Sequence, residues 1–178
     1  MNKENVNFEN GKQDEISHNQ NLNDRYLCFS LGSEEYAIPL LSVREVIAIP
    51  EITPVPQAAS HFLGIMNLRG QVISVIDLRT KLSIKPSNTL ESAIIICDLN
   101  PNSMGVVVDS INCVINPGPD QISEKPEVQS QKSTDYIQGV YREKDKLIVL
   151  LDISKVLNAG EHREILQAAN KNKLNKGA

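Results

Sequence analysis

Gly64-Ile65-Met66-Asn67-Leu68-Arg69-Gly70-Gln71-Val72-Ile73-Ser74-Val75-Ile76-Asp77-Leu78 is matched without gaps, 75 positions later, by Gly139-Val140-Tyr141-Arg142-Glu143-Lys144-Asp145-Lys146-Leu147-Ile148-Val149-Leu150-Leu151-Asp152-Ile153. Each copy reads as a short run, a polar turn, a second run rich in branched aliphatic residues and a polar stop, which is the pattern of a hairpin. Lys81-Leu82 and Val156-Leu157 carry the match further. A looser correspondence sets Tyr36 to Ile47 against Met104 to Ile115, 68 positions on, so that Val43-Arg44-Glu45-Val46 faces Ile111-Asn112-Cys113-Val114. Self-similarity of this kind marks an internal duplication. It implies two halves of about five strands each.

Outward from the repeat, Tyr26 to Leu31 and Tyr36 to Leu40 flank Gly32-Ser33-Glu34-Glu35 and form a second hairpin. Leu40, Val43 and Val46 are spaced three apart, which predicts a short helical turn before a connector punctuated by Pro50, Pro54 and Pro56. Ser92 to Leu99 and Met104 to Val108 form a further strand pair across an Asn-Pro-Asn-Ser turn, and a polar loop from about 116 to 135 precedes the last hairpin. Residues 1–24 scatter their few apolar side chains without period and read as a disordered leader. Residues 158–178 read as a helix interrupted near Gly160 and then a basic tail. The folded unit is expected over 25–157, as halves of roughly 25–90 and 91–157 that exchange strands. Sheets this small manage their edges best by closing into barrels, and two barrels of this size need a shared hydrophobic interface.

Composition agrees with a β core. Of 178 residues 40% are hydrophobic and 22% charged, which supports a globular core, while aromatics are 4% and Trp is absent, so Val, Ile and Leu must fill it. A formal charge of −4 and the lack of interleaved basic and aromatic residues argue against nucleic acid as a partner. No apolar run approaches the ~18 residues needed to span a bilayer, and residues 1–24, rich in Asn, Gln and Glu, hold no apolar stretch of the kind an export signal needs. Cys28, Cys97 and Cys113 have no metal-ligand spacing and read as reduced core thiols in a cytoplasmic protein.

The chain offers little for catalysis. His18, His61 and His162 lack partners at metal-binding spacing, and Gly64 and Gly70 precede a strand without the Gly-Lys-Ser/Thr of a phosphate loop. Glu34 and Glu35 sit at a hairpin tip, where both are expected to be solvated. Asp77 and Asp152 end equivalent strands and are expected to cap the turns that follow. Glu45 and Arg69 each lie among apolar residues, and the sequence leaves two readings: a pair at or near a binding surface, which relieves the cost of an isolated charge, or two unrelated surface charges. Their repeat counterparts are Cys113 and Lys144, so the fold itself does not require the pair.

Glu35-Tyr36-Ala37-Ile38, Val43-Arg44-Glu45-Val46, Phe62-Leu63-Gly64-Ile65-Met66-Asn67-Leu68-Arg69-Gly70 and Val75-Ile76-Asp77-Leu78-Arg79 together resemble the CheW family of chemotaxis coupling proteins. The likeness runs from about Arg25 to Leu157. It implies a mainly β fold of two interlocked five-stranded SH3-like barrels with short helices. It also implies a cytoplasmic, non-catalytic adaptor without cofactor or metal, recruited to receptor arrays, which joins the cytoplasmic tip of methyl-accepting receptors to the regulatory domain of a CheA-type histidine kinase. Carried over by motif, Val43, Arg69, Ile111 and Val114 are the expected receptor-binding residues, and Leu40, Glu45 and Val46 the kinase-binding ones. With no receiver-like sequence read between Leu157 and Ala178, the short adaptor is expected rather than the longer relative that fuses it to a phosphoacceptor. A pilus-driven or other chemosensory pathway built from the same parts is the alternative setting. An enzyme with a site between the barrels lacks converging acid, base or nucleophile, and a module gripping Pro-rich peptides lacks the aromatic groove.

Overall fold

The computed structural model describes residues 24–85, 91–99, 102–124, 135–144 and 146–156. The expected leader, apart from residue 24, and the expected C-terminal helix and basic tail over 158–178 lie outside the described residues. Eleven strands are present among them: β1 Tyr26–Leu31, β2 Glu34–Pro39, β3 Val43–Ala48, β4 Phe62–Leu68, β5 Gln71–Asp77, β6 Ala93–Asp98, β7 Ser103–Val108, β8 Ser110–Ile115, β9 Ile122–Ser123, β10 Ile137–Glu143 and β11 Lys146–Leu151. One-turn helices follow β5 and β11, α1 at Leu78–Lys81 and α2 at Ile153–Val156.

The strands form two sheets, ordered β8-β1-β2-β11-β10-β9 and β3-β6-β7-β5-β4. Hairpin β1–β2 is thus completed by β8 and β11, and hairpin β6–β7 by β3 and β5. The closing contacts are parallel and equivalent: β11 on β2 with Ile148 opposite Glu35, and β5 on β7 with Ser74 opposite Met104. Each sheet draws strands from both halves of the chain: β1 and β2 join β8, β9, β10 and β11 in one, and β6 and β7 join β3, β4 and β5 in the other. One sheet has the expected five strands and the other gains the two-residue β9. No pairing among the described residues joins β8 to β9 or β3 to β4, so the ladders are open rather than closed barrels.

Strand alternation builds three apolar cores. Leu27, Phe29 and Leu31 of β1 meet Ile76, Ile95, Cys97 and Met104 from the other sheet in a central core that both sheets share. The opposite faces of the same strands fill one core per sheet: Cys28, Ala37, Ile148 and Leu150 in one, Ile73, Val75, Ile94 and Ile96 in the other. Strands buried on both faces must be apolar at successive positions, which is why Ile94-Ile95-Ile96-Cys97 is a continuous run.

The repeated glycines have a steric cause. A Cβ on Gly64, whose φ is +143°, would come within 2.1 Å of the Thr53 carbonyl oxygen, and one on Gly139 within 2.8 Å of the Ser123 carbonyl oxygen. Both glycines let a crossing segment approach: Thr53 bridges Ile65, and β9 pairs Ser123 with Val140.

Three local expectations need correction. The turn after Pro39 is a 3₁₀ turn confined to Leu40–Ser42, because the β-branched Val43, Val46 and Ile47 favour an extended chain that pairs with β6. β8 is a strand in its own right as well as the counterpart of Val43 to Val46; three of its six positions are exposed, so its apolar signal in the sequence is weak. Glu35 is half-buried and paired with Lys146 at 2.9 Å, because the parallel docking of β11 brings that lysine beside β2. The bond and charge of Glu35 raise the Lys146 ammonium above its ordinary pKa.

The capping expectation holds: Asp77 accepts from the Arg79 N–H at 2.9 Å, and Asp152 from the Ser154 N–H at 3.1 Å. Asp77 does more than cap. Its carboxylate takes the Arg79 guanidinium in a two-point pair, from Nε at 2.9 Å and Nη2 at 2.8 Å, while Nη1 reaches Asp109 at 2.6 Å. The other Asp109 oxygen accepts the Gly32 N–H at 2.6 Å in the β1–β2 turn. All three charged side chains are buried.

Removing the cation from this cluster strands two carboxylates. Arg79→Leu is expected to cost about 3–5 kcal/mol in urea unfolding. Gly64→Ala is expected to destabilise by more than about 2 kcal/mol, and Gly70→Ala, whose Cβ would meet nothing within 4 Å, by only about 1 kcal/mol for its positive φ.

Candidate functional interface

β3 is a terminal strand and carries a bulge. Val43 pairs with Cys97 and Glu45 with Ile96, which leaves Arg44 as the extra residue. Arg44 donates from Nη1 to Gln71 Oε1 at 3.1 Å and to Ser103 Oγ at 3.4 Å, and so fastens β3 to the starts of β5 and β7. Glu45 Oε2 accepts from Arg69 Nη2 at 3.0 Å, the pairing expected from the sequence. Arg69 is the first residue of the β4–β5 turn, with φ of +51°, and Asn67 Oδ1 closes that turn by accepting the Gly70 N–H at 2.8 Å. β3 and β4 lie at opposite ends of their ladder, so this ion pair joins two margins that backbone hydrogen bonds leave apart.

The residues expected at two different partner faces are not cleanly separated. Glu45, assigned to the kinase, and Arg69, assigned to the receptor, are a single ion pair with side-chain exposures of 20% and 77%. Leu40 and Val43 are half-buried against the central core, whereas Val46 on the same strand is exposed. Ile111 and Val114 lie on β8, the terminal strand of the other sheet. Ile111 packs on the central core and Val114 is exposed. Large exposed apolar side chains recur at equivalent repeat positions: Val46 with Val114, and Val72 with Leu147. The sequence reading missed Val72, Leu147 and Arg44. Their signals were present as an apolar residue next to a turn in both repeats and a cation next to Glu45.

Cys113 corrects a further expectation. Cys28 and Cys97 are buried, but Cys113 is exposed, because β8 has a neighbour on one side only. Among the described residues no group of three or more His, Cys, Asp or Glu is placed to hold a metal ion. No helix among them is long and apolar enough to cross a membrane.

Two sheets that share a core, each with an exposed valine on a terminal strand and one of those valines next to an ion pair, define a class: a protein-docking scaffold. The comparisons with known proteins give it a family. The CheW-like domain model matches residues 25–161, and the chain belongs to that family. It is similar to the chemotaxis protein CheW of Bacillus subtilis, 32% identical over 137 residues that cover 76% of this chain and 87% of the relative. The chemotaxis protein CheW of Klebsiella aerogenes is 29% identical over 143 residues, covering 80% and 86%. The crystal structure of the scaffolding protein TtCheW from Thermoanaerobacter tengcongensis superposes with a TM-score of 0.71 at 29% identity, over 78% of this chain and 94% of that one. The chain is a chemotaxis adaptor.

An exposed ion pair contributes at most about 1 kcal/mol to folding. Arg69→Ala is therefore expected to shift the thermal midpoint by less than about 4 °C. Calorimetry of the variant checks that Arg69 is available for docking rather than needed for the fold.

Proposed function

We propose that the chain is a non-catalytic, cytoplasmic adaptor that docks two partners at once, the cytoplasmic tip of methyl-accepting receptors and the regulatory domain of a CheA-type histidine kinase. The observation that carries this reading, together with family membership, is the pair of exposed valines, Val46 and Val114, on terminal strands of different sheets. An apolar side chain on an unpaired strand margin is a liability unless a partner covers it. Val43, Arg69, Ile111 and Val114 serve the receptor, and Leu40, Glu45 and Val46 the kinase.

The Glu45–Arg69 pair is the border of the two surfaces. A partner that engages Arg69 alters the electrostatic setting of Glu45, so one occupant is felt at the neighbouring contact. Transmission of this kind is a coupling free energy and acts equally in both directions. Individual contacts of modest area gain strength when many copies are held together in an array.

Co-sedimentation of the purified chain with a receptor signalling tip and a kinase regulatory domain tests the proposal. The wild type is expected in a ternary complex. Arg69→Ala is expected to weaken receptor binding about tenfold, or ~1.4 kcal/mol, with the fold retained. Undiminished receptor binding by that variant overturns the assignment of Arg69, and binding to neither partner overturns the adaptor proposal.

A further inference from the structure

Cys28 and Cys113 face one another across neighbouring antiparallel strands. The register of β1 on β8 sets Leu27 opposite Val114 and Cys28 opposite Cys113. Directly opposed residues on neighbouring antiparallel strands share a face of the sheet, so the two thiols lie on the same side of it. Opposed Cα atoms lie about 4.5 or 5.5 Å apart depending on the pair type, and both spacings fall within the roughly 4.4–6.8 Å that a disulfide bridges. The ladder shifts register between Cys28 and Phe29, next to the pair, and such an irregularity gives the strand room to adjust.

The two sulfurs differ in access. Cys28 is fully buried among Ala37, Ile115, Tyr141, Ile148 and Leu150, whereas Cys113 is exposed on the outer strand. Glu35, Glu143 and Lys146 are the charged groups that face the pair. Burial pushes the Cys28 thiol up to about 12, and the nearby Cys113, Glu35 and Glu143 act in the same direction. The outer thiol is thus the one that meets a dissolved oxidant, and the inner one is placed to resolve the product.

We propose that Cys28 and Cys113 form a reversible cross-strand disulfide when the protein meets a peroxide, clamping the outer strand β8 to β1. The Cys113 thiolate attacks one oxygen of hydrogen peroxide and the O–O bond breaks. Hydroxide departs, takes a proton to become water, and leaves Cys113 as a sulfenic acid. The Cys28 sulfur then attacks the Cys113 sulfur, the S–O bond breaks, and the second oxygen leaves as water with the remaining proton. Two thiols and one peroxide give one disulfide and two waters, sulfur being oxidised and peroxide oxygen reduced. A dithiol reductant reverses the bond by exchange. Cys97, fully buried in the strand pairing with Val43 and Met104, has no cysteine opposite it and is the internal control. The crosslink does not depend on the adaptor reading, but it fixes the strand that carries Ile111 and Val114.

The test treats the full-length chain with a small excess of hydrogen peroxide, then denatures it, alkylates remaining thiols and maps peptides by mass. Alkylatable thiols are expected to fall from the three of the sequence to one, Cys97, with a Cys28–Cys113 linked peptide in the monomer. The thermal midpoint is expected to rise by about 5–10 °C and to return on adding dithiothreitol. Cys113→Ser, a change at an exposed site, is expected to abolish both effects. Added oxygen on Cys113 with Cys28 still alkylatable, a chain-to-chain link through Cys113, or loss of two thiols in Cys113→Ser would each overturn the proposal.

Discussion

The buried guanidinium of Arg79 holds the two sheets in register. It follows β5 in one sheet and grips Asp77 and Asp109 together. Asp109 is the residue at which the chain leaves β7 of that sheet and enters β8 of the other, and its second oxygen holds the Gly32 N–H of the β1–β2 turn. Three stretches far apart in sequence therefore meet at one cation. Such a cluster, with one positive and two negative charges out of water, persists because its bonds are short and the guanidinium is engaged at Nε, Nη1 and Nη2. The second repeat has Ser154 where the first has Arg79, so only one end of the duplicated architecture is locked this way.

The exchange of hairpins then dictates the packing. Because β1–β2 and β6–β7 each lie in a sheet completed by strands from elsewhere in the chain, their two faces are both covered: one by the shared central core, the other by the core of their own sheet. Outer strands β3 and β8 pair on one side only and keep exposed apolar side chains, which is where docking capacity is left over. The bulge at Arg44 and the ion pair of Glu45 with Arg69 tie the β3 margin to the rest of its sheet through side chains. Fold and interface thus use one strand for two purposes.

Much of this was legible in the chain itself. The hairpins about Gly32 and about Arg69-Gly70, the repeat, the capping by Asp77 and Asp152 and the pairing of Glu45 with Arg69 follow from local chemistry: turn residues, alternating burial and the cost of an isolated charge. β8 was faint because a strand exposed at half its positions carries little apolar periodicity. The absence of metal-ligand spacing says nothing about where Cys113 sits, and the place of β8 at the end of its ladder is what exposes it.

What the sequence determined by itself was the set of strands and turns and their family likeness, because these depend on interactions between near neighbours. Which strand lies beside which was decided by tertiary structure alone. The Asp77–Arg79–Asp109 cluster, the Glu35–Lys146 pair and the opposition of Cys28 to Cys113 all join residues whose partners are chosen by sheet order, apart from the local step from Asp77 to Arg79. Sheet order is set by burying both faces of the central strands at once. That is a property of the whole core, and no local stretch of sequence records it.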